Sequence, residues 1–206
     1  MSIYDDTIML GQNNYGKSDV RIVKVKRDTP LHEIWDLNVR VALEGDFSAA
    51  HVGSDNSLLL ATDTMRNTVY ALAKDHLSTS IESFGLVLVE HFLKVGPNVT
   101  KAWIECTQYP WERIRVEGKQ HEHAFVRAAG ERYARVTADI SGSRQVEAGL
   151  GNITIMKTTS SGWEQFYREA FTTLPDTNDR ILATVVSARW VYAEASNLDF
   201  DKLWNN

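Results

Sequence analysis

The chain reads as an α+β fold, an antiparallel sheet with helices packed on one face. Three observations predict it. Stretches of period-two hydrophobicity recur along the chain, as in His32–Phe47 and Arg132–Ile140, the pattern of strands with one buried and one wetted face. Two helical patterns stand side by side between those stretches. Apolar residues make up 43% of the 206 residues, enough for a packed core.

The elements follow in order. Residues 1–18 are polar at first and form an arm that ends in Tyr15-Gly16-Lys17. Asp19–Arg27 is rich in β-branched residues and reads as a strand. In His32–Phe47, Trp35, Leu37, Val39, Val41 and Leu43 share one parity, and Asp36, Asn38, Arg40 and Glu44 share the other. A short apolar run at Leu58-Leu59-Leu60 leads into Ala61-Thr62-Asp63-Thr64, and a helix is predicted over Met65–Lys74. Thr79-Ser80-Ile81-Glu82 has the form of a capping box, with Thr79 as the cap. Behind it Ile81, Phe84, Leu88 and Phe92 recur at helical spacing up to about Lys94. Gly96-Pro97-Asn98 stops that helix, Val99–Tyr109 alternates again, and Ala124–Val126 begins another strand before Arg132–Ile140.

Residues 19–141 therefore form one ββααββ unit. From 142 the pattern restarts, with a short strand at Ile153–Met156, a mixed aromatic stretch at Gly162–Phe171, a strand over Arg180–Tyr192 and a helix beginning at Asp199–Trp204. Residues 142–206 are thus expected to be the start of a second, incomplete unit, finished by other polypeptide, since a lone two-stranded hairpin is marginal in water. An open antiparallel sheet with one apolar face is also expected to close around an axis with copies of itself, as at least a dimer.

Composition narrows the function classes. Lys and Arg number 22 and Asp and Glu 27, a formal charge of −5, which argues against nucleic acid as a partner, since that needs a basic patch. The Lys24-Val25-Lys26-Arg27 run is too short for one and reads as a solvated strand face. One cysteine, Cys106, excludes an internal disulfide and a multi-cysteine metal site. It lies on an alternating strand and reads as a small core residue. No apolar run approaches the ~18 residues of a membrane span. The start Met1-Ser2-Ile3-Tyr4-Asp5-Asp6 has no basic-then-apolar leader, so a cytoplasmic location is expected.

Four segments, in order across nearly the whole chain, resemble the urate oxidase (uricase) family, in its bacterial form. They are Tyr15-Gly16-Lys17 with the strand DVRIVKV; ATDTMRNTVY from Ala61 to Tyr70; His121-Glu122-His123-Ala124-Phe125; and Phe171-Thr172-Thr173-Leu174 leading to Asp179-Arg180-Ile181-Leu182-Ala183-Thr184. The resemblance implies the tunnelling fold, two ββααββ units per subunit assembled into a barrel, as a homo-oligomer and expectedly a tetramer. It implies oxidation of urate by O2 to 5-hydroxyisourate and hydrogen peroxide with no metal or other cofactor. The family's subunits are about a third longer again, and a complementary C-terminal fragment is a further expected partner.

The same resemblance assigns roles. Lys17 is the proton acceptor and must shed its own proton to serve; otherwise it is a solvated lysine before a strand. Thr62 relays the proton, since a hydroxyl both donates and accepts; otherwise Thr62, Asp63 or Thr64 caps the helix that follows. Asp63 contacts substrate, mainly through its main-chain amide. Arg180 clamps the purine edge with its planar fork; otherwise it pairs with Asp179 or Asp176. Trp163 stands where the family keeps a phenylalanine that stacks on the substrate ring; otherwise it is a core residue and Phe166 lies nearer the site. The family's glutamine, asparagine and histidine partners of this site fall beyond Asn206, so the 206 residues alone are expected to show little or no activity, which returns with the missing segment. In the family the Lys–Thr pair of one subunit meets the aromatic–arginine pair of its neighbour.

His121 and His123 share a strand face and are read as hydrogen-bonding at the barrel wall in preference to a metal site. Two other readings remain: a tunnelling-fold enzyme acting on pterins or related rings, which predicts metal dependence, and a non-catalytic binding or assembly protein, which predicts binding without peroxide.

Overall fold

The computed structural model describes residues 10–195 and 198–204. In chain order the elements are β1 (Asn14–Lys26), β2 (Glu33–Gly45), α1 (Ser48–Gly53), α2 (Thr62–His76), α3 (Ile81–Val95), β3 (Val99–Gln108), β4 (Trp111–Val116), β5 (Lys119–Arg127), β6 (Glu131–Asp139), β7 (Arg144–Lys157), β8 (Leu182–Val191) and α4 (Phe200–Trp204). The sheet has six antiparallel strands in the order β1-β2-β3-β6-β7-β8. β4 and β5 pair only with each other, as a separate hairpin.

Alternation decides what each face does. Leu37, Val39, Val41 and Leu43 of β2 are at most 1% exposed and face α2 and α3 together with Ile104, Cys106, Ala134, Val136 and Val146 of the neighbouring strands. α3 covers the centre with Ile81, Phe84, Leu88, Val89 and Phe92, all fully buried. At Gly85 a Cβ would come within 2.6 Å of Val136 Cγ2, so α3 lies on β6 as closely as a bare backbone allows. α2 packs on β1 through Met65, Val69 and Ala73.

The opposite face carries charge. Cross-strand register lines up Arg40 (β2), Glu105 (β3), Arg135 (β6) and Glu147 (β7). Arg40 lies 3.4 Å from Glu105, Glu105 lies 3.9 Å from Arg135, and Glu147 lies 3.4 Å from Arg189 of β8. Trp103 is held between the Arg40 and Arg135 guanidiniums, each 4.7 Å from its ring. Tyr133 donates to Glu105 at 3.2 Å, and burial beside that carboxylate pushes its phenol up to about 12. Such a row is at home against water, not against another hydrophobic layer.

Several local expectations change. β1 starts at Asn14, so the Tyr15-Gly16-Lys17 segment is strand and not arm. α1 and β4 were not legible in the sequence. The strand predicted at Ile153–Met156 is the far end of the longer β7, and β7 and β8 join β6 in one continuous sheet. The capping box does not form. Ser80 is the N-cap of α3, its hydroxyl accepting from the Ser83 amide at 3.0 Å. Glu82 turns inward and meets Arg132 of β6 at 2.7 Å, because a fully buried carboxylate needs a counter-charge more than the helix start needs a second cap.

Two devices lock the periphery. The hairpin is held by Trp111, whose indole N–H donates to the buried Asp36 at 2.9 Å, and by Arg21 and Arg127, which pair with Asp36 and stack on the Tyr109 ring at 4.3 and 4.4 Å. α4 is held by Phe200 in the core and by Trp204, whose ring lies 4.6 Å from the Arg132 guanidinium.

Candidate active site

β1 and α2 run side by side and in the same direction. At one end the Tyr15 hydroxyl accepts from the Leu60 amide at 2.9 Å, just ahead of α2. At the other, Lys24 Nζ donates to the Ala73, Lys74 and Leu77 carbonyls at 3.0, 2.8 and 2.7 Å, where α2 ends. Lys17 is opposite Val41 in the register and so shares the helix-covered face with Tyr15. Two residues along a strand are about 7 Å, which brings Lys17 level with the first turn of α2, where Thr62 is the first helical residue. The strand bulges between Lys17 and Val20, with Asp19 at φ 57°, a distortion that re-aims the neighbouring side chains. Gly16 is required here, because a Cβ would collide with the Val41 carbonyl. Lys17 is half-buried and Thr62 exposed.

The start of α2 corrects the capping alternative. The N-cap position belongs to Ala61, and no side chain caps the helix. The Asp63 carboxylate turns along the helix instead, to Arg66 at 2.5 Å and to Asn67 at 3.0 Å. Met65 is the first residue whose amide is used inside the helix, bonding the Ala61 carbonyl at 3.1 Å. The amides of Thr62, Asp63 and Thr64 thus belong to the unsatisfied donors of a helix N-terminus, a setting that favours an anion.

Trp163 and Arg180 lie on the segment between β7 and β8. Trp163 is 51% exposed, which sets aside the core alternative. Its backbone bonds that of Thr177 in both directions, and its ring stacks on Phe166 at 6.2 Å and 29°. Arg180 is exposed and, among the described residues, has no acidic partner. Asp176 is taken by Arg168 at 2.9 Å, and Asp179 is bound by the Ser160 amide at 2.7 Å and the Thr159 hydroxyl at 3.1 Å. The expected alternative for Arg180, an ion pair with either acid, therefore does not form.

The two halves lie apart within one copy. β1 and β8 are the two edges of the sheet, separated by five inter-strand gaps of about 4.8 Å each. Tyr15 of β1 is level with Arg144 of β7, whereas Leu182 of β8 pairs with Lys157 at the far end of β7. Lys17–Thr62 and Trp163–Arg180 thus occupy diagonally opposite corners of the sheet.

The remaining motif residues behave structurally. The His121 and His123 rings meet edge to face at 4.7 Å, and His32 lies 5.8 Å from His123. Their backbone anchors the hairpin: the His32 amide bonds the Glu122 carbonyl at 3.0 Å, and Arg113 donates to the same carbonyl at 2.7 Å. Cys106 is buried, and burial pushes its thiol up, away from nucleophilic use.

A family model for uricase matches residues 13–137 and 146–206. The chain belongs to the uricase family. It is 47% identical over 198 residues to the uricase of Arthrobacter globiformis, covering 96% of this chain and 63% of that one. To uricase-2 of Phaseolus vulgaris it is 39% identical, over 90% of this chain and 61% of the other. The crystal structure of the Arthrobacter globiformis uricase superposes with a TM-score of 0.85 at 44% identity, covering 96% of this chain and 67% of that one. The structure of a uricase from Bacillus fastidious, at 24% identity and a TM-score of 0.75, shares the fold. The chain thus spans about 63% of the length of the Arthrobacter uricase it matches, which is longer by more than the expected third. Among the described residues no helix is long and apolar enough to cross a membrane.

Proposed function

We propose that this uricase-family chain, completed by the segment that carries the family's glutamine, asparagine and histidine, oxidises urate with O2 to 5-hydroxyisourate and hydrogen peroxide, without a cofactor, at a site shared between copies. The observation that carries the reading is the family match across nearly the whole chain, with Lys17, Thr62, Asp63 and Arg180 all inside the matched segments. The geometry supports the sharing. One corner of the sheet holds Lys17 on β1 and Thr62 at the N-terminus of the helix that runs beside that strand, and the diagonal corner holds an exposed aromatic ring and a guanidinium with no acidic partner among the described residues. Neither corner alone can both pin a flat anion and move its proton.

In this reading Arg180 grips the pyrimidine edge of urate while Trp163 stacks on the ring. The Asp63 amide, at the α2 N-terminus of a neighbouring copy, holds the opposite edge. Thr62 passes a ring proton to Lys17, which leaves a dianion, a better electron donor. Two electrons then go from the dianion to O2, which takes up two protons and leaves as hydrogen peroxide. Water adds to the oxidised ring at C5. The charged face of the sheet becomes the wall of a water-filled barrel, with α2 and α3 outside, and copies closing it as a tetramer remove the free edges of β1 and β8.

Loss of the ultraviolet absorbance of urate under oxygen, with peroxide measured in parallel, tests the reading. One peroxide per urate is expected, and binding of urate without peroxide would contradict it.

A further inference from the structure

We infer that Arg168 is a positioning residue for substrate affinity, acting by keeping Asp176 away from Arg180; the inference rests on the urate reading of this site. Two carboxylates lie within four residues of Arg180, and each is held elsewhere. Asp179 is bound by the Ser160 amide at 2.7 Å and the Thr159 hydroxyl at 3.1 Å. Asp176 is bound by one arm of Arg168 at 2.9 Å, while the other arm donates to the Leu174 carbonyl at 3.0 Å. The Arg168 guanidinium also lies 4.5 Å from the centre of the Phe166 ring, and that ring stacks on Trp163. Arg168 is therefore tied to three parts of the segment between β7 and β8 that carries both ligand-facing groups, and it holds the acid that would otherwise compete with an anionic ligand. An exposed ion pair is weak in itself. Its effect here is on affinity: with Asp176 neutralised in place, the guanidinium of Arg180 meets an incoming anion with its full charge.

Anaerobic titration of the assembled protein with urate, followed by calorimetry, reads affinity without turnover. Arg168→Gln is expected to weaken urate about three- to fivefold, the range an exposed ion pair sets. Adding Asp176→Asn is expected to return the affinity to within twofold of the parent, although the contact with Phe166 is still missing. Asp176→Asn alone should bind no more weakly than the parent. Parent-like affinity in Arg168→Gln would overturn the inference and leave the urate reading intact. So would a weakening that Asp176→Asn does not relieve, which would make Arg168 mere scaffolding. No binding of urate by the parent protein would overturn both.

Discussion

Replacing Arg132 by Met tests how the core tolerates the buried ion pair of Glu82 and Arg132. Glu82 is fully buried on α3, and Arg132 Nη2 reaches one of its carboxylate oxygens at 2.7 Å, while the other oxygen has no hydrogen-bond partner. Asp201 of α4 is the other charge on this cluster, 3.5 Å from Arg132. Burial pushes the Glu82 carboxyl above its ordinary value, and the pull of Arg132 only partly opposes this. The sign follows directly. The folded state holds this proton more tightly than the unfolded chain, so the contribution of Glu82 to stability is full at low pH and is lost as pH rises through the raised value. Without Arg132 the carboxylate is buried and unpaired, a loss of about 3–5 kcal/mol when ionised. For a chain of this length that is roughly 6–20 °C in Tm. Urea unfolding of Arg132→Met at pH 8 and pH 5 should show most of the loss at pH 8, and adding Glu82→Gln should recover most of it. An equal loss at both pH values, or no recovery with Glu82→Gln, would refute the reasoning.

Three further outcomes are expected. Lys17→Met and Thr62→Val should each lower urate turnover by about a hundredfold or more, the usual scale of general acid–base catalysis, while anaerobic urate binding stays within a few-fold. Trp163→Phe should retain turnover, with KM within about threefold, since either ring offers a face for stacking; a total loss would mean the site depends on the indole itself. Lys24→Met should remove the tie between β1 and the end of α2, lowering stability by about 1–3 kcal/mol in urea unfolding.

How much of this was legible depends on where the deciding interaction lies. β2, β3 and β6 declared themselves because one face of each is buried and the other wet, and α3 because its apolar stripe covers the sheet. β4 did not, because Trp111-Glu112-Arg113-Ile114-Arg115-Val116 is mostly exposed and owes its place to distant bonds, from Trp111 to Asp36 and from Arg113 to the His32 carbonyl. Thr79 looked like a cap because the local pattern was complete, and lost to a long-range demand, the pairing of Glu82 with Arg132. In the candidate site the residue types and their order were readable, whereas the freedom of Arg180 was not. The two acids nearest it in the sequence are claimed by Arg168, Thr159 and Ser160, and only the folded segment between β7 and β8 brings those groups together.

Complementation between two inactive variants tests the shared site most directly. Copies with Lys17→Met and copies with Arg180→Gln, each inactive in turnover, are mixed so that they co-assemble. With Lys17–Thr62 and Trp163–Arg180 on opposite corners of one sheet, a mixed pair rebuilds one intact site, and equal mixing across a two-fold interface should restore about a quarter of the parent turnover. Mixed assemblies that form yet stay inactive would place all four groups in a single copy and contradict the shared site.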